Sequence, residues 1–518
     1  MFRNALNDLV VWKENLNKKP LIVWGARQVG KTYLVKTLFA ETYYKKRYVY
    51  VDFKAHDEVR SFCQTTANAK KIIDFLELWS NQSISDQTLL IFDEVQECPN
   101  IISALKYFCQ DAREIPVIAT GSMVRIKIQR ELHKRGGGSE KFLFPVGKIQ
   151  QLTIYPMTFD EFLINSNERL YSKLKAAFET RAELSPEIHQ LALEAVQKYL
   201  LVGGMPEAVE AYLTRGNLLE ARAILRELYD NYLADMELYQ ASRESILRSR
   251  TLFQNIYKEL NKENKNFSPG LLEAKAKTRD YAMAIQWLEM AHIIHRSFQL
   301  KEHITLPLLE DCDSNFRIFL ADIGMFSYQS GVNPSSFVSN EGENTLSGIF
   351  YENFVANELV ANDVKLFYWR GKATAELEFI LASGNQVFPM DVKKGRGSLN
   401  SLEKFANHNK FAYAIKVSKN HYGYNAEQKL LTVPFYYISF LVKALASPMM
   451  NDELAAPLST FHLPLWRSHS VVSTTCSAAR SAFLCILCIL WFLPTLAVLR
   501  VAPTCHSPLW RCHSIQTP

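Results

Sequence analysis

Apolar runs a few residues long alternate with segments of helical period along the first third of this 518-residue chain. Residues 1–18 have the spacing of an amphipathic helix. In "KPLIVWGARQVGKT" (19–32) a buried strand runs into a glycine turn and the start of a helix. "RYVYVDF" (47–53), "TLLIFDE" (88–94) and "IPVIATGSM" (115–123) predict three more strands, and residues 68–79 and 100–112 predict helices between them. Strands that alternate with helices imply an α/β fold with a parallel sheet covered on both faces. "GGGSE" (136–140) reads as a break, and "KIQQLTIYPMTFDEFL" (148–163) as a strand, a turn and a helix start. Residues 165–300 follow helical periodicity, punctuated by the turn "LVGGMPEAV" (201–209), and the last fifty form a compact helical unit ending in a strand. After "VNPSSF" (332–337) a mixed region runs to about 443.

Composition changes this picture only at the end of the chain. From Ser447 onward there is no lysine, and "LPLWRSHS" (463–470) recurs as "SPLWRCHS" (507–514). Phe483–Leu499 is apolar apart from Thr495 and is about long enough to span a bilayer, with Pro494 inside it. The segment reads as a frameshifted or read-through end in preference to a tail anchor. Four of nine cysteines (Cys63, Cys98, Cys109, Cys312) are scattered over the first 445 residues, which fits reduced thiols in the cytoplasm. Cys485 and Cys488 form C-x-x-C inside the apolar run, with no second ligand pair nearby. The opening "MFRNALNDLVVWKEN" carries Asp8 and Lys13 and is not a secretory signal. A net charge of +6 spread along the chain permits nucleic-acid contact without arguing for it.

The strongest chemical signal is Gly25-Ala26-Arg27-Gln28-Val29-Gly30-Lys31-Thr32, which fits G-x-x-x-x-G-K-[ST] between a strand and a helix. Glycines let backbone N–H groups wrap the phosphates at a positive helix end. Lys31 reaches the β- and γ-phosphates, and Thr32 is a ligand for Mg²⁺. The partner acids stand at the end of "LLIFDE": Asp93 holds the metal through water and Glu94 polarises the attacking water. Thr120, closing the fourth strand, is placed to bond the γ-phosphate or that water. ATP and Mg²⁺ are thus the expected cofactors.

A second set lies far downstream. Glu378 in "AELEFI" and Asp391 and Lys393 in "FPMDVKKG" fall on adjacent strands of a predicted hairpin, with Lys393 on the face of Asp391. Two acids that bind metal and a lysine that steadies hydroxide and phosphate are the parts of a metal-dependent nuclease. Glu352, on the helix "GIFYENFVANEL", is a fourth candidate facing the sheet. The same residue types also suit a solvated sheet rim. They suit equally a surface that binds nucleic acid without cutting it, through Lys372, Lys393, Lys394 and Arg396. "KENKNF" (262–267) reads as a solvated loop, and Trp287 as a core residue.

Eight landmarks keep their order: "KPLIVWGARQVGKT", "LLIFDEVQ", "TGS", "LTIYPMTFDEFL", "GGMPEAV", "FLADIGM", "YENFVANEL" and "YWRGKATAELEFI" with "MDVKKG". Over roughly residues 1–443 the chain thereby resembles the prokaryotic AAA+-type ATPases with a C-terminal nuclease-like domain of unknown function. The resemblance implies a P-loop ATPase domain (1–163), a helical lid with a winged-helix-like part (164–332) and a restriction-endonuclease-like α/β domain (333–443), followed by an atypical tail (444–518). It implies ATP binding and hydrolysis coupled to movement of the C-terminal domain. The alternatives are ATP-gated cleavage or binding of nucleic acid, and a nucleotide-gated module for a protein partner. A homo-oligomer is compatible with all three. Two positions depart from the family pattern. Lys148 follows Gly147 where an arginine is frequent, which removes the planar fork of an arginine finger and leaves Arg125 and Arg135 as alternatives. Glu378 stands where an aspartate is usual.

Overall fold

The computed structural model describes residues 1–122, 144–240, 242–311, 315–334, 343–371, 375–393 and 400–446. The expectations for Met123, Arg125, Arg135, "GGGSE", Cys312, Lys372, Lys394, Arg396 and the tail from 447 onward lie outside the described residues.

The five apolar runs of the N-terminal third form one parallel sheet. Its strands are β1 (Leu21–Gly25), β2 (Tyr48–Asp52), β3 (Leu89–Asp93), β4 (Val117–Thr120) and β5 (Gln150–Ile154), in the order β2-β3-β4-β1-β5. β1, β3 and β4 are buried at every position, as strands covered on both faces must be. Helices α1 (Ala5–Glu14), α2 (Tyr33–Ala40), α3 (Asp57–Thr65), α4 (Ala69–Ser80) and α5 (Pro99–Asp111) complete the layers. α1 is shorter than the 1–18 expected, and α3 was not legible from periodicity. β4 separates β1 from β3, so the loops leaving all three strands open at one edge of the sheet.

The middle of the chain is helical: α6 (Phe159–Thr180), α7 (Pro186–Val202), α8 (Pro206–Arg215), α9 (Leu218–Tyr239), α10 (Arg243–Leu260) and α11 (Ala282–Met290). Thr158 and Glu161 close the start of α6 with a capping box. Strands β6 (Ile294–Gln299) and β7 (Phe316–Leu320) and helix α12 (Ile323–Ser330) follow. Trp287 is buried in the core.

Helix α13 (Glu343–Ala361) leads into β8 (Phe367–Arg370), β9 (Glu376–Leu377), β10 (Phe379–Ser383) and β11 (Gln386–Val392). Then come α14 (Asn400–Ala406), β12 (Ala414–Ser418), β13 (Gly423–Asn425), β14 (Leu430–Pro434) and α15 (Ile438–Leu445). A mixed sheet has the order β10-β11-β12-β14-β13, with β11, β12 and β14 parallel. A four-stranded sheet, β7-β6-β8-β9, crosses the expected boundary near 333 and ties the middle region to the C-terminal one. No helix among the described residues is long and apolar enough to cross a membrane.

Three of the ordered landmarks meet at one point. Met157 N donates to Gly204 O at 2.6 Å, and Gly204 N donates to Asp322 Oδ2 at 2.7 Å. Met325 N caps the other oxygen of Asp322 at 2.7 Å, and Tyr199 OH donates to Met157 O at 2.5 Å. A Cβ on Gly204 would lie 2.1 Å from Met157 O and 2.7 Å from Met157 N, so the backbones themselves are in contact. Gly204→Ala must push these segments apart and is expected to cost about 1–3 kcal/mol. Gly348→Ala, where nothing lies within 4 Å of the added carbon, should instead gain about 0.5–1 kcal/mol of helix stability. Thermal melts of the two variants should therefore move in opposite directions.

Candidate nucleotide site and a buried acid cluster

The turn after β1 is held where only glycine fits. Gly25 has φ +145°, and a Cβ there would stand 2.3 Å from Ile154 O on the neighbouring strand. The loop then turns through Gln28 (φ +63°) and Gly30 (φ +84°) into α2. Lys31 is 8% exposed, and its ammonium donates to Ala26 O at 2.7 Å and Gly25 O at 3.2 Å, folded back over its own loop. Burial lowers Lys31 to about 8, against the opposing pull of Glu94 and Asp93.

Asp93 is the hub of the site. Its Oδ2 accepts from Thr32 Oγ1 at 2.7 Å and from Tyr50 OH at 2.9 Å. Its Oδ1 accepts from Thr120 Oγ1 and from Glu94 N, the latter at 2.9 Å. Thr120 is fully buried, and its hydroxyl is engaged with Asp93. In this arrangement the Thr120 hydroxyl donates to Asp93, and Ser122 lines the cavity. Glu94 sits in a left-handed turn (φ +52°), and the Gln96 amide donates to its carboxylate. Burial raises the Glu94 carboxyl, with the Gln96 hydrogen bond working in the other direction.

These groups border a cavity of about 520 Å³. Gly30, Lys31, Thr32, Asp93 and Glu94 line one side, and Pro206, Glu207 and Glu210 of α8 line another. Arg3 is a further lining residue that motif reading missed. Its guanidinium donates to Val29 O at 2.9 Å and Tyr155 O at 2.7 Å and pairs with Glu161 at 3.3 Å. Arg27 of the loop pairs with Asp235 of α9, and Tyr232 OH donates to Arg27 O at 3.2 Å. The middle helices thus hold the loop from outside. Tyr50, in the middle of β2, and Gln96, just past the end of β3, were also missed. Phosphate and Mg²⁺ fit what is present: a glycine cradle, a buried ammonium, and a hydroxyl and carboxylate as hard oxygen donors.

The C-terminal candidates also converge. β10 and β11 pair with Phe379 opposite Met390, which brings Glu378 beside Asp391. Lys393 Nζ lies 2.8 Å from Asp391 Oδ1 and 3.2 Å from Glu378 Oε1, and Val392 N donates to Glu378 Oε2 at 3.2 Å. Glu352 is buried at the same place, but its carboxylate is taken by Lys265 at 2.5 Å. Lys265 comes from "KENKNF", and the expectation of a solvated loop there is corrected. In that loop Lys262 pairs with Glu259, Asn264 accepts from Arg370, and Asn266 accepts from Tyr368 OH at 2.7 Å. Burial and the neighbouring Glu378 carboxylate push Asp391 up to about 7. Burial opposes the charge of Glu378, but Lys393 and its other neighbours hold that carboxyl down at about 2.

Comparison with known proteins matches three segments of the chain. Residues 17–163 match a family described as an AAA domain. Residues 193–336 match a domain of unknown function, DUF8612, and residues 347–437 another, DUF4143. No curated protein matches the chain. Among solved structures, the Walker-type ATPase PABY2304 of Pyrococcus abyssi is similar at 16% identity and TM-score 0.39, over 63% of this chain and 95% of that one. The replication initiator DnaA bound to AMPPCP and single-stranded DNA is similar at 16% identity and TM-score 0.25, over 55% of this chain and 86% of that one. AMPPCP-bound DnaA from Aquifex aeolicus is similar at 16% identity and TM-score 0.22, over 56% of this chain and 89% of that one. The family match and the glycine loop on a parallel sheet agree: residues 17–163 are similar to an AAA domain and carry a loop of P-loop form.

Proposed function

We propose that this chain binds ATP with Mg²⁺, hydrolyses it, and uses the nucleotide state to move the middle helices and the C-terminal domain. The observation that carries this reading is the meeting of Lys31 and Thr32 with Asp93 and Glu94 around one cavity. Lys31 exchanges its hydrogen bonds to loop carbonyls for phosphate oxygens. Thr32 and Asp93 hold the metal, which when bound neutralises phosphate charge. Tyr50 and Thr120 keep the Asp93 carboxylate aimed, and Glu94, steadied by Gln96, orients the attacking water. Phosphate release from ATP by the full chain should require Mg²⁺ and slow at least about tenfold in Thr32→Val. Turnover indifferent to both counts against the reading.

A continuous polar route supports coupling to the C-terminal domain. Arg3 joins the loop at Val29 O to Glu161. The adjoining Asp160 pairs with Lys443 of α15 at 2.6 Å, and Glu358 of α13 accepts from Phe159 N at 2.7 Å. A change at the loop therefore reaches α13 and α15 through a single helix start. α8 faces the nucleotide cavity directly through Glu207 and Glu210, which gives the lid its own contact with the bound state. Direct nucleic-acid cleavage is the less favoured alternative, because the C-terminal carboxylates are already engaged by lysine and arginine side chains.

A further inference from the structure

Strand β5 is an edge of the parallel sheet: among the described residues it pairs with β1 alone. Gln150 N donates to Pro20 O, at the foot of β1, at 2.9 Å. The N–H and C=O groups of Gln151 and Thr153 alternate with those that face β1, so they point away from the sheet. Tyr155 O, next in that outward row, accepts from Arg3 Nη2 at 2.7 Å and ends it. The outward row borders a second cavity, of about 620 Å³, walled by α1 on one side and by the end of α13 on another. A strand edge left open in this way is a template for one more strand.

The charge around the cavity is unbalanced. The two cations that line it, Arg3 and Lys443, are paired with Glu161 and Asp160. Asp8 of α1 and Asp363, just past α13, line it as exposed side chains, and among the described residues neither has an ion-pair partner. Burial and the Asp363 carboxylate raise the Asp8 carboxyl, the behaviour of two like charges that face each other without a cation.

We propose that the open edge of β5 takes up an extended basic peptide of a partner protein as a sixth strand, with a lysine or arginine of that peptide set between Asp8 and Asp363. The main-chain groups of Gln151 and Thr153 hold any strand, and the two carboxylates select its charge. Side chains alternate along a strand, so a basic residue at every second position keeps a cation on the side of the carboxylates. The same carboxylates repel the phosphates of nucleic acid from this edge. Arg3 lines both this cavity and the nucleotide cavity, so a docked peptide abuts the nucleotide loop. The binding itself does not depend on the ATPase reading.

The test is fluorescence anisotropy of a labelled eight-residue peptide of alternating valine and arginine, titrated with nucleotide-free full chain. Saturable binding is expected, with a Kd on the order of 10 μM. The same peptide N-methylated at every amide keeps its charge but has no main-chain donors, and should bind at least about tenfold more weakly. Asp8→Asn/Asp363→Asn changes two exposed side chains and should weaken the unmethylated peptide at least about tenfold, with circular dichroism as the check of folding. Three results overturn the proposal. A wild type without saturable binding leaves the edge without this occupant. Equal affinity for the methylated peptide shows attraction of charge without strand addition. Affinity unchanged in the folded double variant places the peptide elsewhere on the chain.

Discussion

Lys31→Ala is expected to weaken ATP binding at least about 100-fold and to abolish turnover, whereas Glu94→Gln should keep binding and lose about 10²–10⁴ in rate. The two residues share one cavity but act at different moments. Lys31 is desolvated and already uses its ammonium on Ala26 O and Gly25 O, so phosphate oxygens replace weaker acceptors. Removing it takes away the ammonium folded over the glycine loop, and the loss appears in the ground state. Glu94 is held by Gln96 at the cavity edge, and its carboxylate matters when water loses its proton. Gln96→Ala should reproduce a smaller part of the Glu94 defect without altering affinity. Calorimetry with a non-hydrolysable analogue, beside phosphate release, separates the two effects. Unchanged binding in Lys31→Ala would remove the basis of the ATPase reading.

The order of strands and helices around the nucleotide loop was legible because its causes are local. A continuous apolar run marks a strand buried on both faces, and the spacing of glycines, lysine and threonine marks the turn. The acids that follow β3 were legible for the same reason. What escaped was set by distant parts of the chain. Nothing near Arg3 in sequence says that its guanidinium lies under a loop 26 residues on and beside a carboxylate 158 residues on. "GGM" read as a turn, yet its glycines are required by the backbone of Met157 and the carboxylate of Asp322. "KENKNF" has the polarity of a solvated loop, and its Lys265 is instead half-buried against Glu352, 87 residues on. The C-terminal acids and Lys393 were found by type and spacing, but the counter-ions Lys265 and Arg317 were not. Arg317 lies inside an apolar strand, and only its partners explain why a charge is there. Long-range neutralisation of charge leaves no periodic trace.

Raising the pH from 5.5 to 8.5 should destabilise the wild type far more than Glu358→Gln. Glu358 is fully buried in α13, and burial, reinforced by Asp160, raises its carboxyl to about 8. One oxygen accepts from Phe159 N and the other has no partner, so the folded protein favours the neutral acid. The sign follows from linkage. Below the unfolded value of 4.5 both states hold the proton and the contribution is fully present. As pH rises, the unfolded chain releases the proton first, and stability falls by about 1.4 kcal/mol per pH unit until the folded value is passed. The total loss is on the order of 4–5 kcal/mol. Glutamine is the uncharged isostere, so between pH 5.5 and 8.5 the variant should hold its stability in urea unfolding while the wild type loses about 3 kcal/mol. Parallel curves would show that Glu358 ionises in the folded state as it does in the unfolded one. The same residue holds the start of α6, whose Glu161 grips Arg3 and through it the nucleotide loop. Glu358→Gln should therefore also blunt any alkaline loss of ATP affinity. That second readout distinguishes a joint between the domains from a buried acid that affects stability alone.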